Sequence, residues 1–168
     1  GVIWDIGAGS GTIGLEALRL RPKIELICID KRLGSEVLIT ENAKNLGVRP
    51  LKIIEGDINQ LLNKKLKRLL LDSNRVVIGG CDKETKIEII EALSKFLNKG
   101  DIIVLPIITY EVLEKVSNCL IRFNYKTSMN LIQTYKGLSI SEGTRFEPNN
   151  PVFILSLIHI SEPTRLRR

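Results

Sequence analysis

Apolar and polar positions along the chain follow two rhythms, and the switches between them mark out the elements. Val2-Ile-Trp-Asp-Ile6 is a short apolar run ending in a glycine-rich turn, the pattern of a buried strand. Residues 12–20 then place Ile13, Leu15, Ala17 and Leu18 on a helical face, and Pro22 closes it. The alternation recurs. Strands are predicted over 24–29, running into Asp30, and over 51–54, 76–78 and 101–105. Helices are predicted over 35–46, 58–71, 84–97 and 110–120, with Ser35 as a cap, and Gly47 and Gly100 as stops. After residue 120 the rhythm changes. Residues 125–134 and 152 onward read as strands joined by a polar stretch over 136–150. Five strand–helix units in a row predict one α/β layered domain with a mostly parallel sheet, closed by an antiparallel hairpin.

Composition narrows the class. Hydrophobic residues make up 43% and charged residues 26%, which excludes a disordered, collagen-like or coiled-coil chain. The apolar run over 102–108 is too short to cross a bilayer and is broken by Pro106, so no membrane span is expected. Cys28, Cys81 and Cys119 lie far apart with no CxxC pair. That argues against a disulfide framework or a zinc ribbon, and a reducing, cytoplasmic setting is expected. The single histidine, His159, leaves no basis for a His-rich metal site or a Ser-His-Asp triad, and no metal is expected.

Both ends read as unnatural. Gly1 is not an initiator methionine and a strand pattern starts at once, so an N-terminally truncated domain is expected. Residues 155–168 look like the translation of a transposase-type sequencing-library adapter. The expected domain is therefore 1–154, with a non-native tail outside the fold. Arg165, Arg167 and Arg168 against Glu162 put +2 of the net +6 in that tail and leave +4 on the body. This mild basicity suits an anionic ligand or a solvated lysine surface alike.

The chemistry concentrates in Asp5-Ile-Gly-Ala-Gly-Ser-Gly11, between the first strand and the first helix. Glycines there admit positive φ, and the helix start aims N–H groups at an anionic group. A dinucleotide fingerprint would need glycine at position 12, which is Thr12. The pattern DxGxGxG instead resembles motif I of class I S-adenosylmethionine-dependent methyltransferases, which implies that Asp5, Gly7, Ala8, Gly9, Ser10 and Gly11 receive the amino-acid end of that cofactor. Asp30, ending the second strand, then suits the ribose hydroxyls, against a simple pairing with Lys31 or Arg32. Asp57 suits the adenine amino group, with Ile58 against the ring, against a helix-cap role.

Further motifs stand in order: Ile78-Gly-Gly80, Thr109-Tyr-Glu111 and Gly143-Thr-Arg-Phe-Glu-Pro-Asn-Asn-Pro-Val152. With Trp4-Asp-Ile-Gly-Ala-Gly-Ser-Gly11 and Glu55-Gly-Asp57, the set resembles the carbon-15 methylating half of the decarboxylating precorrin-6Y methyltransferases of cobalamin biosynthesis. The resemblance covers about residues 1–154. It departs from the pattern at Cys81-Asp-Lys-Glu84, where small residues are usual, and at Tyr110, where leucine is common. It implies a Rossmann-like class I methyltransferase fold with a seven-stranded sheet. It also implies methylation of carbon 15 of precorrin-6B, or its cobalt form, with loss of carbon dioxide from the ring C acetate.

On that resemblance Glu111 and Thr109 are catalytic candidates, with Glu111 bonding a pyrrole nitrogen or capping a helix. Gly79 and Gly80 would admit the macrocycle. Arg145, and more weakly Lys83 and Lys126, would meet its carboxylates, and Asn150 would orient a substrate loop. Trp4 reads as core and Cys81 as incidental. The implied partners are the tetrapyrrole, a carbon-5 methylase as a subunit or fused domain, and further copies of the chain in a homo-oligomer, with no nucleic acid. Two other readings stand beside it. One is another class I methyltransferase acting on RNA or a small metabolite, for which aromatics at 5% offer few stacking platforms. The other is a non-catalytic subunit of the same fold.

Overall fold

The computed structural model describes residues 1–64, 73–95, 97–123 and 125–159. β1 (Val2–Ile6) leads into α1 (Thr12–Leu20), then β2 (Glu25–Asp30), α2 (Ser35–Leu46), β3 (Lys52–Glu55), α3 (Ile58–Lys64) and β4 (Ser73–Ile78). α4 (Lys83–Leu93), β5 (Ile102–Ile107) and α5 (Tyr110–Arg122) follow. The chain ends with β6 (Tyr125–Ile132), β7 (Tyr135–Ile140), β8 (Gly143–Pro148) and β9 (Val152–His159). The helix expected over 58–71 lies beyond Lys64 outside the described residues.

Seven strands form one sheet in the order β3-β2-β1-β4-β5-β9-β6. The first five run parallel, and β9 inserts antiparallel between β5 and β6. Both faces are covered, which is why β2 is apolar without alternation. Leu26 and Cys28 meet Leu15, Leu18, Ile39 and Ala43 of α1 and α2 on one side. Ile27 and Ile29 join Trp4, Ile6 and Val76 on the other, together with Ile89, Ile90 and Leu93 of α4 and Val116 and Leu120 of α5. Trp4 is fully buried, as expected.

Several boundaries depart from the sequence reading. First, β5 passes through Pro106. Its pairing with β4 stops at Val104, while pairing with β9 runs on to Ile107, so proline sits where only one neighbour needs hydrogen bonds. Second, Ser35 is the first residue of α2 rather than its cap. Gly34 holds the cap position in a left-handed conformation, and Glu55 Oε2 accepts its amide at 2.8 Å. Third, α4 starts at Lys83 under Asp82, whose carboxylate accepts the Thr85 amide at 2.8 Å, and it ends at Leu93 rather than 97.

Fourth, the polar stretch over 136–150 is not a plain connection. β7 and β8 pair antiparallel as a separate two-stranded ribbon, every residue of which is exposed except the half-buried Leu138. A ribbon with no buried face leaves no alternation of apolar residues to read. The expected end of the fold at 154 is also passed. β9 continues to His159, with Leu155 and Leu157 buried between β5 and β6. Leu-Ser-Leu has the period of a half-buried strand, and the sheet accepts that period whatever its source. No helix among the described residues is long and apolar enough to cross a membrane.

Candidate functional site

The strand order turns outward from β1 in both directions, so the carboxyl ends of β1 and β4 flank a crevice. A cavity of about 840 Å³ opens there, lined by the segments that follow β1, β2, β3, β4 and β5.

The floor is the glycine loop. Gly7, Gly9 and Gly11 have φ of 68°, 66° and 80°, a run of left-handed residues that side chains would resist. The Gly7 and Ala8 amides donate to Ile29 O at 2.8 and 3.1 Å, which fastens the loop to the end of β2. The Ser10 carbonyl accepts the Asn42 side-chain amide at 2.9 Å. Gly7, Ala8, Gly9 and Ser10 line the cavity with Thr12 and Ile13. Gly11 is buried beneath them at the head of α1.

Asp5 is 1% exposed, and its Oδ2 accepts the Gly14 amide at 2.9 Å. Burial pushes its carboxyl up to about 6; the Gly14 amide opposes this and the Asp30 charge adds to it. Gly14 went unread in the sequence. A Cβ there would stand 2.7 Å from Asp5 Oδ2 and 2.8 Å from Leu26 Cδ1, so only glycine brings α1 this close to the sheet. Its signal was its spacing, three residues after Gly11 and on the inner face of α1.

Asp30 closes the loop from the side. Its Oδ2 accepts the Gly9 amide at 2.6 Å, and its Oδ1 accepts the Arg32 amide at 2.9 Å and Arg32 Nε at 3.0 Å. Burial raises its pKa, but the Arg32 hydrogen bonds and charge and the Gly9 amide together hold the carboxyl below the ordinary value. The pairing weighed against a ribose role is thus present, and the Arg32 guanidinium lies over Gly9, 2.9 Å from where a Cβ would be.

Asp57 and Ile58 line the same cavity, and the Asn59 amide donates to Asp57 Oδ1 at 2.9 Å. Asp57 therefore tightens the start of α3 while facing the crevice. On the opposite wall stand Gly79, Gly80 and Cys81. Gly79 is glycine because of the loop beneath it: a Cβ would stand 2.9 Å from Gly7 O. Burial raises the Cys81 thiol, which Lys86 partly offsets, so it is no ready nucleophile. Thr109 lines the far end, at the cap of α5.

Four candidates are not brought to this cavity, the weaker one being Lys126, exposed on β6. Glu111 is exposed in the first turn of α5, and Arg145 and Asn150 are exposed on and just after β8. One residue that sequence reasoning passed over is brought in. Lys86 of α4 is 5% exposed and lines the cavity.

Comparison with known proteins fixes the lineage. Residues 1–159 match the family model described as the precorrin methyltransferase domain. The chain belongs to the precorrin methyltransferase family. A relative from Saccharolobus solfataricus, "Probable cobalt-precorrin-6B C(15)-methyltransferase (decarboxylating)", is 32% identical over 160 residues, covering 92% of this chain and 76% of the relative. One of the same description from Pyrobaculum aerophilum is 31% identical, covering 93% and 78%. The crystal structure of precorrin-6Y C5,15-methyltransferase from Geobacter metallireducens superposes with a TM-score of 0.79 at 29% identity, covering 94% of this chain and 80% of that one. The sheet order, the glycine loop and this likeness make the domain a Rossmann-like class I methyltransferase fold.

Proposed function

We propose that the chain is an S-adenosylmethionine-dependent C-methyltransferase of cobalamin biosynthesis. It methylates carbon 15 of precorrin-6B or its cobalt form, and the ring C acetate loses its carboxyl group as carbon dioxide, which leaves a methyl group on the ring. The observation that carries the reading is the convergence of the glycine loop, Asp30 and the Asp57-Ile58 pair on one cavity, with Gly79, Gly80 and Thr109 facing them. The names of the relatives supply the substrate.

The lining suits the cofactor. Gly9 leaves open, apart from Arg32, the space a side chain would fill over the floor. Asp30 offers two carboxylate oxygens for a diol, and Ile58 gives an apolar surface beside the acceptor Asp57. S-adenosylmethionine supplies an electrophilic methyl group on a sulfonium. The protein's part is alignment: loop and aspartates hold the donor, while the Gly79-Gly80 wall and Thr109 place the acceptor carbon in line. Glu111, Arg145 and Asn150 lie outside the lining of this cavity. A carbon-5 methylase as subunit or fused domain, a homo-oligomer and a cytoplasmic setting belong to the same proposal.

The deciding experiment incubates the full chain with precorrin-6B and labelled S-adenosylmethionine. The expected product carries the label and has lost the mass of carbon dioxide; a product lacking either change rejects the reading. Calorimetric titration with S-adenosylhomocysteine, using Gly9→Arg as control, tests the cofactor site alone. Equal heats for both proteins would count against it.

A further inference from the structure

Lys86 sits where an apolar residue is expected. It precedes Ile89, Ile90 and Leu93 by three, four and seven residues, which puts it on the buried stripe of α4. Its Nζ donates to Gly79 O and, at 2.6 Å, to Cys81 O, the two carbonyls of the loop that follows β4. An ammonium carries three N–H donors, so one is left over. Among the described residues, the ion pairs are Arg19 with Glu16, Arg32 with Asp30 and Lys83 with Glu84; Lys86 has none. Burial pulls its pKa below the ordinary lysine value, against the opposing pull of Cys81 and Asp82.

A buried cation held by two carbonyl dipoles and in no ion pair is costly, and leucine would fill this helix position without that cost. The charge becomes useful if an anionic group enters the cavity. Lys86 lines that cavity beside Gly79 and Gly80, and Lys31 and Lys83 line it too.

We propose that Lys86 is a specificity-determining residue: its spare donor binds a carboxylate of the substrate against the loop after β4. This rests on the substrate reading above and supplies the cation that reads the tetrapyrrole's acidic side chains. It takes that task from Arg145, which is exposed on β8 and does not line the cavity. Lys31 and Lys83 stand on the same cavity wall for further carboxylates of the same molecule.

The test titrates the full chain, saturated with S-adenosylhomocysteine, with cobalt-precorrin-6B, following the tetrapyrrole absorbance. Wild type, Lys86→Met and Lys86→Arg are compared. Methionine keeps the length and apolar stem of lysine, so the helix position stays filled. Losing a hydrogen bond to a charged group weakens binding about tenfold or more, and that loss is expected for Lys86→Met. KM should rise by a similar factor, with kcat and the S-adenosylhomocysteine Kd changed less than about twofold on the same scale. Lys86→Arg should retain most of the affinity. Wild-type tetrapyrrole affinity in Lys86→Met overturns the inference and leaves the substrate reading standing. Parallel loss of both ligands and of melting temperature in Lys86→Met would mark a loop clamp only, and also overturns it. A wild-type protein that binds S-adenosylhomocysteine but no tetrapyrrole overturns the substrate reading and this inference with it.

Discussion

The Gly9 amide donates to Asp30 Oδ2 at 2.6 Å, so the middle glycine of the loop and the acid that ends β2 form one unit before any ligand arrives. The fork of Arg32 occupies the rest of that carboxylate, with Nε on Oδ1 at 3.0 Å and Nη2 on Oδ2 at 3.4 Å. A ribose diol needs the same lone pairs. If Asp30 takes the ribose as proposed, Arg32 is a competitor that must swing aside, and its side chain is 62% exposed and free to do so.

Arg32→Ala and Asp30→Ala should then move cofactor affinity in opposite directions. An exposed ion pair contributes up to about 1 kcal/mol, so Arg32→Ala is expected to tighten S-adenosylhomocysteine binding by about two- to fivefold. Asp30→Ala removes a charged acceptor and should weaken binding about tenfold or more. Calorimetric titration of both variants checks the pair; weaker binding by Arg32→Ala would show that the guanidinium itself holds the ligand.

Asp5 sets a pH dependence whose sign follows from its raised pKa. The folded protein holds the Asp5 proton to about 6, whereas the unfolded chain releases it near 3.8. Between those values the folded state binds more protons, so this contribution to stability is full below pH 3.8 and is lost as pH rises to 6. The loss amounts to about 3 kcal/mol for a shift of about two pKa units. Asp5→Asn keeps an oxygen for the Gly14 amide and cannot ionise. Its stability relative to wild type, from urea melts at pH 4 and pH 7, should rise by that order across the interval.

Gly14→Ala should destabilise the seating of α1 on the sheet. The new Cβ would stand 2.7 Å from Asp5 Oδ2 and 2.8 Å from Leu26 Cδ1, and neither buried neighbour has room to withdraw. Overpacking of this kind costs about 1–3 kcal/mol. A lowered melting temperature is expected, and an unchanged one would mean that α1 can lift from the sheet.

Leu157 tests whether the last strand carries weight. It is fully buried opposite Ile103 of β5 and Thr127 of β6. Leu157→Ala should cost about 2–5 kcal/mol by the ordinary cavity penalty. Chemical denaturation would show it as a lower midpoint at constant slope.

The order of strands and helices, the parallel sheet and the closing antiparallel pair were legible in the sequence. Buried strands and amphipathic helices impose local periods, and glycine, proline and capping residues punctuate them. Asp5, Gly7, Gly9, Asp30 and Asp57 were singled out in the sequence because acids and glycines stand where strands end, and the structure brings them to one cavity. The ribbon of β7 and β8 was hidden because it buries nothing, and the strand through Pro106 because the tolerance for proline depends on which neighbour is missing.

Only the tertiary structure decided which charges meet. Arg32 folds back onto Asp30 and Glu55 reaches across from β3 to the start of α2. Lys86 turns inward onto the carbonyls of Gly79 and Cys81, while Arg145 rides outward on the ribbon. Sequence specifies through patterns that repeat along the chain, whereas the partner of a long charged side chain depends on segments brought together from tens of residues apart. That is why the frame of this site could be read from the string of residues, and its cations could not.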